Sequence, residues 1–197
     1  MILRTLIFFL LCFTLEIFHV SIVLADDQTD SSIREPSEIV TLDSLFSELE
    51  QAGSLAEAEQ VEQMIWKRWH QHKIPSISQE LWLGTRYLQE NNFKKALFVF
   101  DRIIEKAPAF SEAFNKRATT YFLMKKYDKS LMDIKVTLTL EPRHFGALSG
   151  MGLIFMKLGD YQRAFVAFTK VLKIYPLSSS ARANIKVIER ELNLKVL

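Results

Sequence analysis

Pro108, Pro142 and Pro176 stand 34 residues apart, each from the next. A fixed period in the thirties implies stacked helical repeats, because each unit is too small to bury its own apolar face. The columns between the prolines keep the same register. Twenty-four residues before each proline sits a small residue: Gly84, Ala118 and Gly152. Three residues further on are Tyr87, Tyr121 and Phe155, and fifteen before each proline are Phe93, Tyr127 and Tyr161. Ala96, Ser130 and Ala164 follow, then Phe100, Ile134 and Phe168, then Ile103, Thr137 and Val171.

These columns describe a helical hairpin. The spacing predicts first helices over roughly 79–90, 112–124 and 146–158, and second helices over roughly 93–106, 127–140 and 161–174. Small residues on the first helix let the second come close, and the aromatics fill the groove between them. Asn91-Asn92, Lys125-Lys126 and Gly159-Asp160 mark the turns. Each proline ends a second helix, since its ring and missing N–H cannot continue the ladder.

The pattern resembles the tetratricopeptide repeat family over about residues 77–178. The middle unit reads AFNKRATTYFLMKKYDKSLMDIKVTLTLEP and the third ALSGMGLIFMKLGDYQRAFVAFTKVLKIYP. The resemblance implies an all-α fold: a helical-hairpin repeat solenoid, a TPR-like superhelix of units 77–110, 111–144 and 145–178. Three residues depart from the family pattern. Glu80 replaces a bulky apolar residue, Arg117 a leucine and Ser130 an alanine. Glu80 predicts that the first unit is packed differently from the others.

The flanks complete the expected organisation. Arg4 precedes a long apolar run ending at Val23-Leu24-Ala25, followed by Asp26-Asp27. Residues 1–25 therefore read as a secretory signal. The alternative is an uncleaved anchor, because about 20 apolar residues can span a bilayer. Cys12 is the only cysteine and would leave with the signal, so disulfides are not expected in the mature chain. Residues 26–40 read as a flexible acidic lead-in. Residues 41–74 carry an amphipathic pattern broken at Gly53, which predicts an N-terminal hairpin, either a cap or a degenerate repeat. Residues 179–197 predict a C-terminal capping helix, whose face of Ala181, Ile185, Ile188 and Leu192 covers the third unit. Through LDSLFSELE, IWKRW and EPRHFGALSGM the chain also resembles small exported tetratricopeptide proteins of alphaproteobacteria. That resemblance implies a periplasmic setting and brings no activity with it.

Charge is unevenly placed. Residues 26–62 hold eleven acidic residues and one basic, a net of −10. Residues 63–197 hold 23 basic and eleven acidic, a net of +12. Two readings stand: a basic scaffold that attracts an acidic partner, or an acidic leader that neutralises basic repeats within one molecule. An exported chain with no basic-aromatic module is not expected to bind nucleic acid.

In the family the first helices line the concave face, and this resemblance supplies the candidate groove. Its stripes are Leu81, Thr85 and Leu88; Asn115, Thr119 and Phe122; and Ser149, Leu153 and Met156. None is charged. A member that grips the terminal carboxylate of a chaperone tail would carry several cations here, so that activity is not carried over. The surface suits a helix or an extended apolar segment of a protein or peptide partner. No nucleophile, base and orienting group can be assembled from spacing, and no cofactor site is expected. His70 and His72 lack a third metal ligand and read as exposed or helix-capping residues. His144 reads as a solvated turn residue. The chain is thus expected to be an exported adaptor rather than an enzyme. The alternative is a self-associating or membrane-anchored assembly protein of the cell envelope, and oligomer size and the mature N-terminus would separate the two.

Overall fold

The computed structural model describes residues 40–194 of the 197-residue chain. The segment read as a signal, 1–25, and nearly all of the segment read as an acidic lead-in lie outside the described residues. Among the described residues the fold is all-α, a solenoid of helical hairpins. The N-terminal hairpin is α1 (Leu42–Gln51) and α2 (Leu55–Trp69). Three repeat hairpins follow: α3 (Pro75–Gln89) with α4 (Phe93–Lys106), α5 (Ser111–Leu123) with α6 (Tyr127–Leu140), and α7 (Phe145–Lys157) with α8 (Tyr161–Ile174). Helix α9 (Ser179–Leu194) closes the array. No helix among the described residues is long and apolar enough to cross a membrane.

Local chemistry sets the ends of these helices. Thr41 and Ser44 form a reciprocal capping box at α1, each backbone N–H donating to the other's hydroxyl at 3.1 Å. Ser54 caps α2. Helix α3 starts four residues earlier than the periodicity predicts, because Pro75 occupies its first turn with φ already helical. Asn91, Lys125 and Gly159 occupy equivalent positions in the hairpin turns, with φ of 57°, 58° and 74°. The left-handed residue lets the next N–H close the turn, as Asn92 does on Tyr87 O at 2.8 Å.

Inside each hairpin, size on one helix answers size on the other. A Cβ added at Gly84 would lie 2.5 Å from the Phe100 ring, and one at Gly152 would lie 2.6 Å from the Phe168 ring. In the middle hairpin the small residue is Ala118 and its opposite number is Ile134, both buried. The middle unit also resolves its departures from the pattern. Buried Ser130 donates its hydroxyl to Ala118 O at 2.8 Å. Arg117 makes a two-pronged contact with Asp133 at 2.8 and 2.7 Å and reaches Asp101 of α4 at 2.7 Å. These hydrogen bonds to Asp133 raise the guanidinium pKa further above its ordinary value. In the first unit Glu80 accepts from Lys106 at 2.6 Å and Arg102 at 3.3 Å, so a carboxylate braces α3 to α4.

The N-terminal hairpin does not extend the stack. The core of the first repeat hairpin, built from Ile77, Leu81, Val99, Phe100, Ile103 and Phe110, contains no residue of α1 or α2. Leu45, Phe46, Leu49, Val61, Ile65 and Trp69 instead share one core with Phe145, Leu148, Phe168, Tyr175, Ala181 and Ile188. The hairpin thus folds back over α7, α8 and α9. One consequence is left on the surface: Trp82 and Phe98 at the α3–α4 end are 64% and 63% exposed.

Candidate functional site

The inner helices α5 and α7 frame the candidate site, and the docked hairpin borders it. Helix α2 is anchored there by a buried polar cluster. Glu112 in the first turn of α5 is fully buried. Its Oε2 accepts from His144 Nε2 at 3.0 Å and from Asn115 Nδ2 at 3.0 Å. Its Oε1 makes no well-aligned hydrogen bond but faces Lys116 Nζ at 3.2 Å and His70 Nε2 at 3.4 Å. Burial opposes the carboxylate charge, yet the His144 hydrogen bond and the Lys116 ammonium outweigh it and hold the pKa below the ordinary value.

His144 is not the solvated turn residue that its Glu-Pro-Arg-His context predicts. It is fully buried as the N-cap of α7. Its Nδ1 accepts from Ala147 N–H at 3.1 Å, which leaves the proton on Nε2 to meet Glu112. Trp69 lies flat on the ring, with centroids 3.9 Å apart and planes 6° from parallel. Trp66 meets both Trp69 and Phe145 edge-on. His70 is a capping residue as expected, its Nδ1 2.6 Å from Trp66 O. His72 contacts the Ile74 N–H, at the start of α3.

Beside this cluster the inner face has two adjoining hollows. The first, about 280 Å³, lies between α5, α6 and α7. Of the nine candidate groove residues it gathers Asn115, Thr119, Phe122, Ser149 and Leu153. Thr119 is exposed, whereas Asn115 is buried and turned to Glu112. Leu81 and Leu88 offer no surface, being 1% and 8% exposed in the first-repeat core. Leucine fills the column in which α5 and α7 carry Asn115 and Ser149. Thr85 is half-buried and donates to Leu81 O at 2.8 Å. Met156 is half-buried and packs on the shared core of the hairpin and α8.

Gly150 lines this hollow too. A Cβ there would meet only Ile134, at an ordinary 3.6 Å, so the position accepts a side chain.

The second hollow, about 230 Å³, is lined by Glu59, Glu62, Trp66, Tyr175 and the serines at 178–180, and it shares Gly146 and Ser149 with the first. Glu62 is oriented by Trp66 Nε1 at 3.1 Å and Tyr175 Oη at 3.1 Å. Burial and this carboxylate push the Tyr175 phenol pKa well above its ordinary value. Sequence reasoning missed this hollow, because Glu62 and Tyr175 are 113 residues apart and only the folded-back hairpin joins them. The one available signal was the pairing of Trp66 and Trp69 on the apolar face of the 41–74 segment.

Trp66 rests on Gly146, which lines both hollows and where a Cβ would lie 2.5 Å from the indole. Gly146→Val is therefore expected to lift Trp66 and loosen α2, costing about 1–3 kcal/mol. Tryptophan emission should shift to the red. Unchanged emission and melting would show that the hairpin is not seated there. No group of three or more acidic, His or Cys side chains suited to a metal ion is found among the described residues.

Comparison with known proteins agrees with this architecture. The family profile described as tetratricopeptide repeat matches residues 145–178. A TPR repeat-containing protein of Rhizobium etli is 33% identical over 151 residues, covering 77% of this chain and 74% of the relative. Among solved structures, the first TPR domain of Spaghetti (RPAP3), bound to an HSP90 peptide, aligns with a TM-score of 0.57. It shares 20% identity and covers 59% of this chain and 93% of that one. The Yersinia enterocolitica type III secretion translocator chaperone SycD aligns with a TM-score of 0.57 at 13% identity, covering 60% and 96%. These two structures share the fold.

Proposed function

The chain belongs to the tetratricopeptide repeat family, and from that premise we propose that it is an adaptor with no chemistry of its own. It holds an apolar segment of a protein partner against α5 and α7. The observation that carries this reading is the uncharged hollow of about 280 Å³. Its walls combine Ala118, Phe122, Ile134 and Leu153 with small hydroxyl side chains, which suits an apolar side chain and its peptide backbone. The solved relative that carries an HSP90 peptide supports a peptide role for this fold. We read residues 1–25 as an export signal, which places the adaptor in the periplasm or outside the cell.

Self-association is a second reading, favoured by one feature. Trp82 and Phe98 expose a large apolar surface at the uncovered α3–α4 end.

The test is photo-crosslinking from Thr119, which is exposed in the hollow. The expected result is one crosslinked partner that disappears in Gly150→Leu, which puts a side chain into the hollow from a position whose Cβ meets only Ile134 at 3.6 Å. Capture of the chain's own copies would favour self-association. A crosslink indifferent to Gly150→Leu would overturn the groove reading.

A further inference from the structure

The two adjoining hollows differ in charge, and the difference specifies the partner more closely. The first has no ionisable side chain on its walls. The second carries Glu59 and Glu62, with the Trp66 indole and the serines at 178–180, and no cation. The carboxylates come from the folded-back hairpin. Residues 42–62 hold six acidic side chains and no basic one. Docking α2 beside α7 brings that charge to the edge of the inner groove, although the repeats behind it are basic. Lys116 lies 5.7 Å from the Trp66 ring, but its ammonium is 3.2 Å from Glu112 and does not line the second hollow.

We propose that the groove selects a segment pairing an apolar side chain with a neighbouring arginine or lysine. The apolar group enters the hollow between α5 and α7, and the cation is held at Glu59 and Glu62 beside Trp66. Three features of the second hollow suit a guanidinium or ammonium group. Glu62 is already oriented by Trp66 and Tyr175, so its charge is fixed in place. Glu59 is exposed and free to close on a ligand. The Trp66 indole borders the hollow beside both carboxylates and adds aromatic wall next to the cation. An acidic segment would meet two carboxylates with no cation to offset them. This inference rests on the groove reading above and adds the sign of the charge.

Three fluorescein-labelled dodecapeptides test it by fluorescence polarisation against the purified chain. One alternates leucine and arginine, the second leucine and glutamate, the third serine and arginine. The leucine–arginine probe is expected to bind best. Glu59→Lys should weaken it by at least about tenfold, leaving the melting temperature unchanged. Gly150→Leu should weaken both leucine probes. Equal binding of the arginine and glutamate leucine probes, both lost in Gly150→Leu, would overturn the charge inference and leave the groove standing. Failure of all three probes, or binding indifferent to Gly150→Leu, would overturn both. Binding of the serine–arginine probe as tight as the leucine–arginine probe would show charge attraction alone and overturn the paired recognition.

Discussion

Glu112→Ala is expected to destabilise the fold by about 3–5 kcal/mol, because it strands buried partners rather than merely deleting a bond. His144 and Asn115 lose their acceptor, and Lys116 loses the carboxylate that balances its charge. For a domain of this size the melting temperature should fall on the order of 10 °C. Urea denaturation measures the loss directly, and a change below about 1 kcal/mol would show that the cluster does not anchor the hairpin. Glu112→Gln keeps an acceptor for His144 but not the charge, so it should cost less.

The pH dependence has a definite sign. The groups facing Glu112 are His144, Lys116, His70 and Asn115. The His144 hydrogen bond and the charges of Lys116, His144 and His70 outweigh burial and hold its folded pKa below the ordinary 4.5. Its contribution is then fully present above 4.5 and disappears as pH falls through the lower folded value. Melting temperature should drop in acid below 4.5, and the drop should be shallower in Glu112→Gln. Parallel acid profiles for the two proteins would contradict this assignment.

Gly152→Phe is the second large effect, expected to cost about 3 kcal/mol or more as an overpacked core. Even a Cβ at this position comes 2.6–2.9 Å from three atoms of the Phe168 ring, which is itself buried. The middle hairpin suggests a more discriminating version. There Ala118 is tolerated because Ile134 stands where the other hairpins place phenylalanine. Gly152→Ala alone should destabilise through the clash, despite alanine's better helix propensity of about 1 kcal/mol. Adding Phe168→Ile should recover much of the loss, a coupling that a double-mutant cycle reads out. Strict additivity of the two changes would mean that α7 and α8 do not meet through this pair.

Much of the repeat architecture was legible in the sequence. Pro108, Pro142 and Pro176 each stand two residues past the end of a second helix, and the turn pairs fall where Asn91, Lys125 and Gly159 turn left-handed. These features are local: a ring without an N–H and a residue tolerating positive φ act wherever they occur. The candidate site was legible only in part. The family resemblance assigned Thr119, Phe122, Ser149 and Leu153 to the candidate stripes, and these four line one hollow. It could not show that Leu81 is consumed by its own hairpin core, because depth depends on which neighbour is large. The Glu112–His144 contact and the Glu62–Tyr175 contact escaped for another reason. The first joins consecutive repeats 32 residues apart at positions outside the periodic columns; the second joins segments 113 residues apart, and no periodicity encodes how a hairpin folds back.

That fold-back also sets an order of events for the chain. The repeat hairpins form mostly between neighbours, so their contacts are short-range and quick to close. The apolar side of the first hairpin, from Leu45 to Trp69, has its binding surface on α7, α8 and α9. Synthesis delivers that side first and its cover last. Leu45, Phe46, Val61 and Ile65 must therefore wait, uncovered, until almost the entire chain has emerged. In refolding, the tryptophans of α2 should report docking as a late step, after helix formation is complete. A folding factor that shields this hairpin would act until α7, α8 and α9 arrive to cover it.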